Sequence, residues 1–383
     1  MYIFFLDLYT DIDAISPIIY KLNKKNKGKV LICSTNYIQN NYNNRLIKVL
    51  RKQGVKYVNF PADNFYLAVF TLFQKILTLL PKKILGKFRF LFKFFYYKFT
   101  FFNKREIVNF LQKHNAKIVS IDSSNPIIKI KKISHACKKI NINLILIPSG
   151  AEIIDVKIYN ISNDFKFCSY YLSQNILEKF KVTKYIKNKK IKFLGSPRYC
   201  NEWLKFIKKN NTKKNKDVNN RINLGFFVTP PTQNFPKHSS IVNLLKKDKS
   251  FNVKIRNKPR DYMPEKCCSY IYDELNTPEI IDWSDIIITV QSSVIIEAIK
   301  KNKVVFFLEY LIPKNYGTWP NKFKCVQVIK SEKDLLQKIR LIKKNNFNFK
   351  IKNKKEYLKK VVGMDTKSNN VLTRYVKFYK SIS

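Results

Sequence analysis

The sequence predicts an α/β protein of two Rossmann-like domains, each built on a parallel sheet, and three observations carry that reading. The stretch 284–310, SDIIITVQSSVIIEAIKKNKVVFFLEY, runs strand, tight turn, helix, strand. Ile286 to Val290 is apolar and β-branched, Gln291 to Ser293 breaks it, Val294 to Lys301 has helical composition, and Val304 to Leu308 is apolar again. That is one parallel βαβ unit, and its continuous rather than alternating apolar strands indicate burial on both faces. The same alternation opens the chain and resumes after residues 208–220, a polar, charged stretch without core residues. At 383 residues the chain exceeds what one core usually serves, so two domains of ~150–200 residues are expected.

In order, Tyr2 to Leu6, Lys29 to Cys33 and Val55 to Asn59 are short strands, with helices over Ser16 to Leu22 and Asn43 to Gln53 and Gly54 closing the second. No GxGxxG or GxxxxGK[ST] accompanies them, so a dinucleotide or P-loop site loses support. Residues 65–102 change texture: large apolar residues alternate with Lys82, Lys83, Lys87, Arg89 and Lys93, and no acid interrupts them. The segment is too often broken for a spanning helix, which wants ~20 consecutive apolar residues. It fits basic amphipathic helices at an anionic lipid surface; packing inward with solvated lysines is the alternative.

Arg105 to His114 is then a helix, Lys117 to Asp122 a strand, Ile127 to Lys139 a helix, and Asn143 to Pro148 a strand ending in PSGAE. Glu152 in that loop is a candidate base, or a solvent-facing acid; Asp122 in IDSSNP is a second candidate that helix capping also explains. Phe165 to Leu172 is strand-like, and a strand at Lys192 to Leu194 enters GSPR. There Gly195 permits close backbone approach, Ser196 and Pro197 form the turn, and Arg198 offers a bidentate donor for phosphate or carboxylate.

The expected first domain is 1–207, the linker 208–220, the second domain 221–345 and a helical tail 346–383. In the second domain, Ile222 to Val228 is a strand ending at Thr229, Ser239 to Lys247 a helix, and Phe251 to Ile255 a strand followed by Arg256, Lys258 and Arg260. These cations either meet a diphosphate or are solvated. Ser292 and Ser293 stand where the central strand meets its helix, able to cap it or to present its first-turn N–H groups to an anion; Glu297 lies one turn on, on the same face. Ser331 to Lys343 and about Ser368 to Tyr379 are further helices.

The formal net charge of +48, with 74 Lys+Arg against 26 Asp+Glu, would ordinarily indicate nucleic acid or an anionic membrane. Lysine, asparagine and isoleucine are abundant along the whole chain, so part of that charge is compositional. The cysteines (Cys33, Cys137, Cys168, Cys200, Cys267, Cys268, Cys325) are scattered without metal-ligand spacing and read as reduced thiols. With only His114, His135 and His238, a zinc site is not expected. The opening MYIFFLDLYTDID has no basic start or cleavage site of an export signal.

The residues from the GSPR turn to the SSVIIEA unit resemble the two-domain GT-B glycosyltransferases, and within them the surface-polysaccharide enzymes and CDP-glycerol glycerophosphotransferases. The counterparts of those families' motifs are LGSPR (194–198), KIRNKPR (254–260) and SDIIITVQSSVIIEA (284–298). The resemblance implies two Rossmann-like domains with parallel sheets facing a central cleft, an acceptor domain first and a donor domain second. Ser292 and Ser293 would hold the donor diphosphate and Glu297 the donor ribose, with Gly195, Ser196, Arg198, Thr229, Arg256, Lys258 and Arg260 completing the donor site. Many relatives carry a His in the first domain's PHG turn and another in the basic stretch; here Ser149 and Asn257 stand there. Either another residue such as Glu152 then serves as the base, or the chemistry differs, or the activity is lost.

The function this implies is transfer of a sugar, or a polyol phosphate, from a nucleotide-activated donor to a surface polysaccharide or lipid-linked acceptor. It would take place at the cytoplasmic membrane face, with the protein peripheral on an anionic surface. Neither cofactor nor metal is expected, since such enzymes commonly neutralise the diphosphate with cations alone. A nucleotide-sugar 2-epimerase shares the architecture but needs acids and a His for elimination and re-addition. A basic nucleic-acid-binding protein needs an aromatic platform on an RRM or OB module, which the sequence lacks, so no specific nucleic acid is expected.

Overall fold

The structure is a computed structural model that describes residues 1–7, 9–35, 44–60, 104–125, 127–148, 154–155, 167–175, 187, 190–210, 221–227, 241, 245, 247–256, 277–290, 292–312, 317–344, 349–363 and 371–383. The chain divides into two compact units. Residues 1–150, 160–200 and 370–383 form one, and residues 151–159 and 201–369 the other.

The first unit opens with β1 (Tyr2–Phe5), α1 (Tyr9–Lys25), β2 (Val30–Ser34), α2 (Arg45–Lys52) and β3 (Lys56–Asn59), then α3 (Lys104–Lys113), β4 (Ile118–Asp122), α4 (Ile127–Lys139) and β5 (Asn143–Ile147). A two-residue strand of the second unit, β6 (Ile154–Asp155), precedes β7 (Tyr170–Ser173) and β8 (Ile191–Phe193) of the first. The sheet order is β3-β2-β1-β4-β5-β7-β8, and every pairing in it is parallel. β1 shows why its run is continuously apolar: Ile3 and Phe5 join the core under α3 and α4, whereas Tyr2 and Phe4 meet Tyr379 of the last helix. α1 is longer than Ser16 to Leu22. It begins at Tyr9, shortly after β1, and carries Pro17 in its interior.

The second unit contains α5 (Asn201–Asn210), β9 (Ile222–Phe227), β10 (Phe251–Arg256), α6 (Thr277–Trp283), β11 (Ile286–Thr289), α7 (Val294–Lys300), β12 (Val304–Leu308), β13 (Gly317–Thr318), α8 (Trp319–Lys322), β14 (Gln327–Ile329), α9 (Glu332–Lys343) and α10 (Lys354–Val362). Its sheet runs β10-β9-β11-β12-β14, again wholly parallel, while β13 and β6 form a small antiparallel pair. Gly225 in β9 lets α6 approach: a Cβ there would collide with Ser284 Oγ, which donates to the Ile280 carbonyl at 2.6 Å. α6, β14 and α10 were not anticipated; α10 follows the low-complexity NNFNFKIKNKK and ends at Gly363, whose φ of +66° is the left-handed helix stop.

The last helix, α11 (Val371–Ser381), returns to the first unit and packs across its sheet from β1 to the end of β8. Tyr375 donates to the Gly195 carbonyl at 2.9 Å, Tyr379 and Ser120 share a 2.6 Å hydroxyl hydrogen bond, and Asn143 Nδ2 donates to the Ile382 carbonyl at 3.1 Å. Among the described residues no helix is long and apolar enough to cross a membrane.

Candidate functional site

Parallel sheets place ligands outside the carboxyl ends of their strands, at the point where strand order reverses. In the second unit that point lies between β9 and β11. Thr289 Oγ1 closes it by donating to the Phe227 carbonyl at 3.2 Å, and Ser292 and Ser293 come next in the chain. Ser292 is buried and accepts from the Val294 N–H at 3.3 Å, while Ile295 and Ile296 donate to the carbonyls of Ser292 and Ser293. The first turn of α7 is therefore closed from within by the SS pair. Ser293 makes no side-chain cap bond.

Glu297 is buried and ion-paired with Lys301 at 2.9 Å, and Lys301 also meets Asp282 of α6 at 2.9 Å. Burial alone would lower Lys301, but the two carboxylates outweigh it and hold the ammonium above the ordinary lysine range. The acid is thus engaged one turn onward along α7. Arg256 ends β10, and Lys254 before it lies over the Trp283 ring at 4.0 Å.

The GSPR turn is a joint of the first unit. Gly195 has φ +86°, which a side chain would strain, and its carbonyl accepts from Tyr375. Ser196 is fully buried and donates to Gln174 Oε1 at 2.7 Å; Gln174 in turn donates to the Pro148 carbonyl, so the ends of β5, β7 and β8 are linked. Arg198 pairs with Asp13 of α1 at 3.5 Å. Glu152, Thr229, Lys258 and Arg260, and Lys82, Lys83, Lys87, Arg89 and Lys93, lie outside the described residues.

The strand order of the first unit reverses between β1 and β4, and a buried polar cluster occupies that point. Asp7, just after β1, accepts from the Thr35 N–H at 2.7 Å and the Thr35 hydroxyl at 2.6 Å, and forms a close ion pair with Lys129. Lys129 also donates to Thr35 Oγ1 and Asn125 Oδ1, each at 3.1 Å, so all three of its protons are used. Asp122 ends β4 and accepts from the Ser124 N–H at 2.6 Å, with Asp11 of α1 beside it. Burial first, and the Asp11 charge second, push Asp122 well above the usual carboxylate range. Of these residues only Asp122 stood out in the sequence. The acids of LDLYTDID, directly after an apolar strand, were the signal for the others.

Among the described residues no group of three or more His, Cys, Asp or Glu could hold a metal ion. Cys33, Cys137, Cys168, Cys200 and Cys325 are free and buried, with Cys137 and Cys168 pushed by burial to about 12.

No family model and no curated protein sequence matches the chain. Solved structures do. The Methanocaldococcus jannaschii UDP-GlcNAc 2-epimerase, in complex with UDP-GlcNAc and UDP, superposes with a TM-score of 0.56 at 12% identity, over 100% of both chains. The wall teichoic acid polymerase TagF, an H444N variant soaked with CDPG, gives 0.57 at 13%, over 100% of this chain and 88% of the other. A glycosyltransferase from Rickettsia africae gives 0.52 at 16%, over 100% and 98%. The chain has the GT-B fold. Its two parallel sheets are the two Rossmann-like halves of that fold, and the β11–α7 unit and the Asp7–Lys129 cluster each lie at the strand-order reversal of a GT-B half.

Proposed function

We propose that this protein is a nucleotide-sugar-using enzyme that transfers a sugar, or a polyol phosphate, from a nucleotide-activated donor to a surface polysaccharide or lipid-linked acceptor. The observation that carries the reading is the position of Ser292 and Ser293 at the strand-order reversal of the second sheet, where open α/β sheets hold nucleotides. The donor belongs to the second unit and the acceptor to the first. Arg198, Arg256, Lys258 and Arg260 supply cations for the departing diphosphate, and Glu152 is the base that takes the acceptor proton. The reaction takes place at the cytoplasmic membrane face without a metal, with residues 65–102 on the lipid surface.

A thermal-shift series with UDP, GDP, CMP, CDP and their sugar or glycerol conjugates tests this. One nucleotide at about 100 times its Kd should stabilise the protein by about 2.7 kcal/mol, a shift readable in degrees. Ser293→Ala is the informative variant, with its ligand-free melting temperature as the reference for the shift. The shift should vanish in it; an equal response to all nucleotides, unchanged in the variant, would remove the donor site.

A 2-epimerase is the second reading, favoured by the buried Asp11 and Asp122 at the first sheet's reversal, since elimination and re-addition need protonatable groups. Incubating the nucleotide sugar in D2O without an acceptor separates the two. Deuterium appearing at the sugar carbon would mark the epimerase, and its absence alongside donor hydrolysis or transfer would mark the transferase.

A further inference from the structure

The two edges of the first sheet differ in charge among the described residues: the carboxyl edge mixes acids with Arg45, Lys104, Arg105, Lys129 and Arg198, and the amino edge does not. Every acid among its described residues lies at the carboxyl edge of the sheet: Asp7 and Asp122 follow or end strands, and Asp11, Asp13 and Glu106 sit in the opening turns of α1 and α3. Among the described residues the opposite, amino edge carries exposed lysines without an intervening acid. Lys27 and Lys29 lie on the loop before β2, Lys56 starts β3, Lys113 ends α3, Lys117 precedes β4 and Lys139 ends α4. Helix dipoles account for a cation in the last turn of each helix, but not for those on the loops. The charges are close enough to act on their neighbours. Burial first, then Lys117 and Lys29, lowers the Met1 amine, and burial first, then Lys113 and Lys56, lowers His114.

We propose that this amino-edge pole docks the first unit on an anionic lipid bilayer. Nearly all of its cations are lysines, point charges suited to a diffuse field of headgroups rather than to the bidentate reading of bases that arginine performs. Among the described residues the helix ends that reach the pole are C-termini, which offer no N–H cradle for a single bound phosphate. Leu341, in the other unit, is the one exposed large hydrophobic among the described residues, so the pole lacks the stacking rings on which single-stranded nucleic acid lies. Docked this way, the unit turns its Asp7–Asp122 edge away from the lipid by at least the length of a five-residue strand, roughly 17 Å. That geometry selects an acceptor chain that extends from the membrane over a lipid headgroup itself. The proposal extends the membrane part of the reading above to a second surface, yet it does not depend on residues 65–102.

Vesicle flotation tests it at physiological salt, with phosphatidylglycerol-containing and pure phosphatidylcholine vesicles, on the full chain and on Lys27→Gln/Lys29→Gln/Lys113→Gln/Lys117→Gln. All four side chains are exposed and outside the candidate sites, so the melting temperature should be kept. Binding to the anionic vesicles should fall by roughly a thousandfold, at ~1 kcal/mol per lysine, and neither protein should bind the neutral ones. Equal binding of both proteins would overturn the proposal, as would complete loss in a Lys82/Lys83/Lys87/Lys93→Gln variant that keeps the pole intact. Displacement from the vesicles by an equal charge of duplex RNA would overturn the lipid assignment and leave a general polyanion surface.

Discussion

Tyr375 donates its phenol hydroxyl to the backbone carbonyl of Gly195 at 2.9 Å, so the last helix holds the GSPR turn in place. Removing that donor leaves a buried carbonyl without its partner. Tyr375→Phe should cost about 1–3 kcal/mol, read as a lower urea midpoint with an unchanged slope. Tyr379→Phe, which breaks the contact with Ser120, should cost a similar amount, and nearly unshifted midpoints for both would mean that the helix is held by apolar packing alone.

Asp122 makes stability depend on pH in an uncommon direction. Its folded value is raised above the ordinary 3.8, so the folded state holds the proton more tightly than the unfolded state does. The stabilisation from that proton is complete below 3.8 and is lost as pH rises through the folded value. Asp122→Asn keeps an oxygen for the Ser124 N–H and cannot ionise. Its melting temperature should decline less than that of the parent as pH rises from the ordinary carboxylate range through the folded value, and exceed the parent's above it. Parallel curves would show that the folded state does not hold the Asp122 proton more tightly than the unfolded state does.

Gly225 is required by what stands opposite it. An alanine Cβ would meet Ser284 Oγ first, with Ile287 Cδ1 at 3.2 Å and Ile280 Cγ2 at 3.3 Å just beyond. Gly225→Ala should therefore destabilise the second unit by about 1–3 kcal/mol. Adding Ser284→Ala should recover much of the loss, and a strictly additive double variant would place the strain elsewhere.

Local pattern made the sheets legible. Val304–Leu308 and Ile127–Lys139 stand where the apolar runs and helical composition placed them, and the unbroken apolar runs announced strands covered on both sides. β14 escaped because its three residues are too short to show a period, and α10 because its lysines leave only Tyr357, Leu358, Val361 and Val362 to mark a face. The site was legible only in part. Ser292 and Ser293 follow an obvious strand, but that they lie at a reversal of strand order depends on β9 pairing with β11 across an intervening strand and helix. Asp7, Asp11, Asp122 and Lys129 are separated by up to 122 positions and meet only because β1 lies beside β4. For Glu297, the sequence gives the helix face but not the competitor, Lys301, that occupies its carboxylate.

The return of α11 has a consequence for how the protein is made. The strands of the first sheet leave the ribosome by Cys200, whereas the helix that covers Tyr2 and Phe4 begins only at Val371. At ~5–20 residues per second the interval is roughly 10–35 s, and residues 201–369 of the second unit are translated within it. During that time the part of the sheet that α11 will cover, beside α1, waits exposed, a substrate for chaperones. A chain that terminates anywhere in the second unit never covers that part, so truncated products should carry a persistent apolar tag for proteolysis.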